Sequence, residues 1–144
     1  MPLHLLKLCV GAESIDDLER WIASRVAERA KRGERGLSLH VTRMIPRRGA
    51  ELLDGGSLYW VIRGQAAARQ RLEAIEPFVD ADGIGRCRLW MRPELTPVLP
   101  RSCRPFQGWR YLAAADAPPD LGGRDDLAAM PEALRRELSG LGLL

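Results

Sequence analysis

Apolar and polar positions alternate from Leu3 to Val10, with His4, Leu6, Leu8 and Val10 on one side and Lys7 on the other, which predicts a first strand. The period then changes. Ser14-Ile15-Asp16-Asp17 opens a helix as a capping-box variant with acidic residues in its first turn, where they favour the helix dipole. Ile15, Leu18, Ile22 and Val26 recur at helical spacing with Trp21 beside them, and Gly33 or Gly36 ends the element. Period two returns over Leu37–Ile45, and Pro46 stops that second strand and starts a short helix to Leu53. Gly55-Gly56 breaks the helix before a third strand, Ser57 to Arg63, rich in aromatic and β-branched residues.

Gln65 to Glu76 reads as a helix, with Ala68, Leu72 and Ile75 inward and Arg69, Arg71 and Glu73 outward. After Asp82-Gly83, Ile84 to Met91 alternates as a fourth strand, Cys87, Leu89 and Met91 against Arg86, Arg88 and Trp90. Leu95 to Leu99 is a short, proline-bounded strand that belongs at an edge. Trp109 and Tyr111 alternate in the same way if their segment is extended. The rest, 113–144, is an acidic C-terminal extension with a short helix over Met130–Leu138. Strands interleaved with helices predict an α+β single domain spanning 1–144, with a mixed, curved sheet or partial barrel and flanking helices.

Composition adds little to this picture except in its layout. The formal net charge is +3, but residues 43–110 carry 12 arginines against 7 carboxylates, while 111–144 carry 3 basic groups against 6 acidic ones. A basic middle and an acidic end suit an anionic partner, or head-to-tail pairing of subunits in a homo-oligomer. The same layout also arises from an arginine-rich composition with solvated faces. No apolar run approaches the roughly 20 residues of a membrane span, and the N-terminal run lacks a basic leader, so a cytoplasmic protein without a membrane partner is expected. Cys9, Cys87 and Cys103 are scattered without a C-x-x-C, and His4 and His40 sit in no recognisable motif. No metal site, cofactor or catalytic residue is therefore assigned.

Candidate chemistry concentrates in two stretches, 55–64 and 104–112, which hold five of the eight aromatic residues. Tyr59, Trp60, Phe106 and Trp109 can stack on a flat ligand, Arg43, Arg47, Arg48, Arg104 and Arg110 can take phosphates, and Gln107 can read a base edge. These residues predict a binding module for RNA, a nucleotide or a modified base. They can equally close a small core, since aromatics dominate small cores. Adjacent strand residues Tyr59 and Trp60 must in either case face opposite sides of the sheet. An alternative is a small hydrolase or nucleotide-modifying enzyme using His40 with a nearby arginine, and a second alternative is a protein-interaction adaptor.

The segments Met1–Gly11, Gly56–Ile62 and Phe106–Leu112 resemble an uncharacterised family of alphaproteobacterial domains of unknown function, over nearly the whole chain. That resemblance implies no activity, cofactor or catalytic residue. The order of a strand, a Pro-led short helix, Gly-Gly, an aromatic strand and proline-broken strands is more remotely similar to PUA-like domains, including ASCH and EVE modules. That similarity implies a small curved barrel, and in several such domains a bound RNA or modified base.

Overall fold

Ser14 accepts a hydrogen bond from the Asp17 amide through its hydroxyl at 3.1 Å, and this cap starts a helix, α1, that runs from Ile15 to Ala30. Its inward face is the predicted one: Leu18 and Ile22 are buried, with Ile15 and Val26 packed against the core. A computed structural model describes residues 3–34, 36–104, 106 and 108–121. Within them the chain forms β1 (Leu3–Leu8), α1, β2 (Ser38–Thr42), α2 (Gly49–Leu53), β3 (Ser57–Ile62), β4 (Gln65–Val79), β5 (Gly85–Met91), β6 (Thr96–Ser102) and β7 (Trp109–Ala113). A 3-10 turn, Ala114–Asp116, comes after the last strand.

The expected helix at Gln65–Glu76 is instead the greater part of a long strand, β4. Ala, Gln, Arg and Glu favour helices by propensity, but tertiary pairing overrides it. Arg63 and Gly64 both have positive φ, 52° and 78°, and they join β3 to β4 as a two-residue hairpin with Ile62 opposite Gln65. Two successive left-handed residues form the turn whose twist matches a hairpin. The strand also carries its own period-two signature: Ala66, Ala68, Gln70 and Leu72 are buried between less covered neighbours.

The sheet is mixed and runs β2-β5-β4-β3-β1-β7, with β6 also on β4. β1 lies parallel to β3 and antiparallel to β7. β4 belongs to two neighbourhoods. Its first half pairs with β3 and β6, its second half with β5, and the register shifts at Leu72/Ala74 between them. Such a bulge bends a strand and increases its twist. The result is a strongly curved sheet, visible in one contact: His40 of β2 and Trp60 of β3 meet edge-to-face at 5.5 Å between ring centroids, although β5 and β4 separate their strands in the hydrogen-bonded order.

The core fills the concave side. Leu3, Leu5, Leu58, Trp60, Ile62, Leu89 and Met91 cluster there with Leu18 and Ile22 of α1. The chain after β7 returns to β6, where Pro119 O accepts from the Leu99 amide and Val98 bridges Asp120. β6 contains Pro97 and Pro100 and pairs among the named strands with β4 alone, the edge position that its prolines require. The expected helix at Met130–Leu138, and the acidic extension beyond Leu121, lie outside the described residues.

Candidate functional site

α1 does not lie flat on the sheet along its whole length. Between it and the concave face is a cavity of about 410 Å³ whose walls include Lys7 of β1, Trp21, Arg25 and Arg29 of α1, His40 of β2 and Trp60 of β3. Asp17, Trp21, Arg25 and Arg29 succeed one another at intervals of four along α1, so a single stripe of the helix faces the space. Lys7 and Trp60 are register partners on neighbouring parallel strands and enter it side by side. The volume is within the ordinary range for small-molecule sites, roughly 300–1,000 Å³.

The cavity has a mouth and an inner end. Val10, Trp21 and Val41 rim it at 92%, 43% and 41% exposure, whereas Arg29 and Trp60 are only 7% and 4% exposed. At the mouth the Arg25 guanidinium lies 4.7 Å over the Trp21 ring. Inside, Trp60 donates its indole N–H to the buried Gln70 side-chain oxygen at 2.9 Å, and Gln70 in turn donates to Arg92 O. That network locks the ring, which packs in the core and against His40 and presents only a small part of itself to the cavity.

Charge in this space is one-sided. Asp17 is the single carboxylate among the described lining residues, and it already accepts from Arg20 at 2.5 Å and from the Glu13 amide. Burial, against a smaller raising effect from Cys9, holds the Lys7 amine below its usual pKa. Burial and then the Lys7 charge push His40 down to about 4, so its imidazole is neutral at pH 7. His40 Nε2 is buried and has no partner among the described residues, as is true of Nε of Arg29, whose Nη2 donates to Leu37 O at 2.5 Å. Burial also raises the Cys9 thiol, against the lowering effects of the Ala12 backbone and Lys7. The arrangement can receive an anion and a flat ring together. Each unpaired buried polar group costs free energy that a ligand can recover.

The chain matches the family described as Protein of unknown function (DUF1489) over residues 5–144. It is a member of that DUF1489 family. Comparison with curated proteins and with solved structures gave no match.

In this DUF1489 protein the two aromatic-arginine stretches meet only in part: Trp60 and Trp109 flank Lys7 on one face of the sheet, but of the two only Trp60 lines the cavity. Trp60 lines the cavity, but Tyr59, on the opposite face, packs edge-to-face on His4 at 5.0 Å beside the 114–120 segment. His4 is buried and hydrogen-bonded, its Nδ1 accepting from the Ser57 amide at 3.0 Å. Trp109 is buried and donates its indole N–H to Met44 O at 2.8 Å, with Tyr111 edge-on at 4.9 Å. The Tyr111 hydroxyl accepts from the Arg47 and Arg48 amides, which pins the loop before α2 onto β7. Arg48 lies over Tyr111 at 5.5 Å and donates to Glu51. Arg110, alternate to both aromatics on β7, instead lies 5.1 Å over Phe106. Arg43, Arg47, Arg104 and Arg110 are exposed, and Gln107 lies outside the described residues.

Sequence reasoning did not single out Lys7, Arg25 and Arg29, which line this cavity. Their signal was present: Trp21, Arg25 and Arg29 mark the helix stripe adjoining the apolar one, so an inward face carrying cations was legible beside Leu18 and Ile22. No described helix is long and apolar enough to cross a membrane.

Proposed function

We propose that this protein is a binding module for a nucleotide, an RNA end or a modified base, and that the cavity between α1 and the curved sheet is where it binds. The observation that carries this reading is the pairing of Trp60 and Trp21 with Lys7, Arg25 and Arg29 around one space holding a single, already paired carboxylate among its described lining residues. A base stacked on an aromatic ring gains roughly 1–3 kcal/mol, and the cations take the phosphate. Neutral His40 supplies a donor or acceptor to the ring edge. Exposed Arg43, Arg47, Arg48, Arg104 and Arg110 offer further phosphate contacts if the ligand is a chain.

Tryptophan fluorescence during titration with nucleoside monophosphates and with mixed-sequence single-stranded RNA, at low and moderate salt, tests it. Saturable quenching that weakens with salt is expected, and Trp21→Ala, at the rim, should abolish most of it without lowering the melting temperature. Absence of quenching by either ligand at low salt refutes the proposal. A second reading, nucleotide-modifying chemistry with His40 as proton acceptor, is favoured by its unpartnered Nε2. It requires turnover that His40→Gln eliminates while binding persists.

A further inference from the structure

We infer that the ligand of this cavity ends in a phosphate monoester, held by Arg29 at the inner end, so that a free mononucleotide fits it and an internal stretch of RNA does not. The inference rests on the nucleotide reading above and narrows it.

Arg29 is the anomaly that leads there. At 7% exposure it is the most deeply covered arginine among the described residues, and its hydrogen-bond partner is the carbonyl of Leu37. Its Nε–H has no partner among the described residues. Two other well-covered arginines are built differently: Arg69 grips Asp120 through Nε and Nη2 at 2.8 and 2.6 Å, and Arg86 pairs with Asp80 at 2.5 Å. A guanidinium taken out of water ordinarily brings a carboxylate with it, because an uncompensated buried charge is strongly destabilising. Arg29 lines a cavity in place of having a carboxylate, and the free donor is a place for an oxyanion.

Charge sets the class of anion. Lys7 lines the same cavity, also without a carboxylate partner among the described residues, so a buried and a half-buried cation await neutralisation. A phosphate monoester carries close to two negative charges at pH 7, whereas a phosphodiester or carboxylate carries one. Depth sets the rest. Arg29 lies at the covered end and Trp21, Val10 and Val41 at the open one. A group that reaches Arg29 must be terminal, because an internal diester needs an exit for the chain on both sides. The base then lies toward Trp21 at the open end.

Isothermal titration of the full-length protein with a nucleoside, its 5′-monophosphate and a single-stranded oligonucleotide lacking terminal phosphates tests the inference. The monophosphate should bind at least about tenfold more tightly than the nucleoside, the scale of one charge-assisted contact. Arg29→Gln should erase that difference, and inorganic phosphate should compete with the monophosphate in the wild type. Because Arg29 also anchors Leu37, Lys7→Met provides a second variant, expected to weaken the monophosphate several-fold and leave the nucleoside unchanged. Equal affinity for nucleoside and monophosphate overturns the phosphate anchor while leaving the nucleotide reading in place. Preference for the phosphate-free oligonucleotide overturns the terminal-group argument, and binding of none of the three overturns the nucleotide reading itself.

Discussion

Stability of this protein should depend on pH through His40. The imidazole sits at about 4 in the folded chain against an ordinary 6.5, because burial and then Lys7 disfavour its charge. Between those values the unfolded chain binds a proton that the folded chain refuses, so stability falls as pH falls through that window. Integrated from pH 7.5 down to pH 5, the loss from this one group is about 2 kcal/mol. Urea denaturation at pH 7.5, 6 and 5, comparing wild type with His40→Gln, isolates it, since His4 and the paired carboxylates contribute equally to both proteins. The variant should lack about 2 kcal/mol of the wild-type decline. Equal losses in the two proteins, or a His40 ring that titrates near 6.5 by NMR, would refute a buried, neutral imidazole. A bound anion in the cavity should also lift the His40 pKa and flatten the wild-type decline.

Two substitutions test the scaffold of the cavity. A Cβ at Gly56 would lie 2.2 Å from both Leu3 O and Leu52 O, backbone atoms that cannot step aside; Gly56→Ala should therefore cost roughly 3 kcal/mol or more by overpacking, and a melting temperature close to wild type would contradict the close approach. Gln70 is fully buried between Trp60 Nε1 and Arg92 O. Gln70→Leu leaves both without a partner and should cost about 2–4 kcal/mol, with a shift in Trp60 emission; unchanged stability and emission would show that the network does not hold the ring.

Elements with one dominant period were legible in the sequence. The α1 face, the Ser14 cap and the Cys87-Leu89-Met91 alternation of β5 stand where the pattern puts them. β4 was not legible as a strand, because its buried positions Ala66, Ala68 and Gln70 are small or polar, so hydrophobicity gives no alternation, and the pairing of Ala66 and Ala68 on both edges is a tertiary fact. The Arg63-Gly64 turn decides the matter, since two positive-φ positions in succession fix a hairpin whatever the helix propensity of Gln65 to Glu76, but only Gly64 hints at it in the sequence. The site shows the same division. Trp60 was visible as an aromatic, but which aromatics and arginines share a space depends on the curl of the sheet, and that curl comes from a bulge in β4 that no local pattern announces. Alternation on β7 separates Arg110 from Trp109, and alternation on β3 separates Tyr59 from Trp60. Membership in the DUF1489 family, by contrast, could be read from contiguous motifs.

The placement of β1 bears on how the protein is made. This strand, which carries Lys7 into the cavity, is synthesised before both of its partners, the parallel one beginning at Ser57 and the antiparallel one at Trp109. On a ribosome β1 must wait, with an unpaired edge, until β7 has emerged behind it. α1 can form at once from local contacts. Its cationic stripe thus exists long before the wall it faces, and the described sheet is complete only when β7 slides in beside β1.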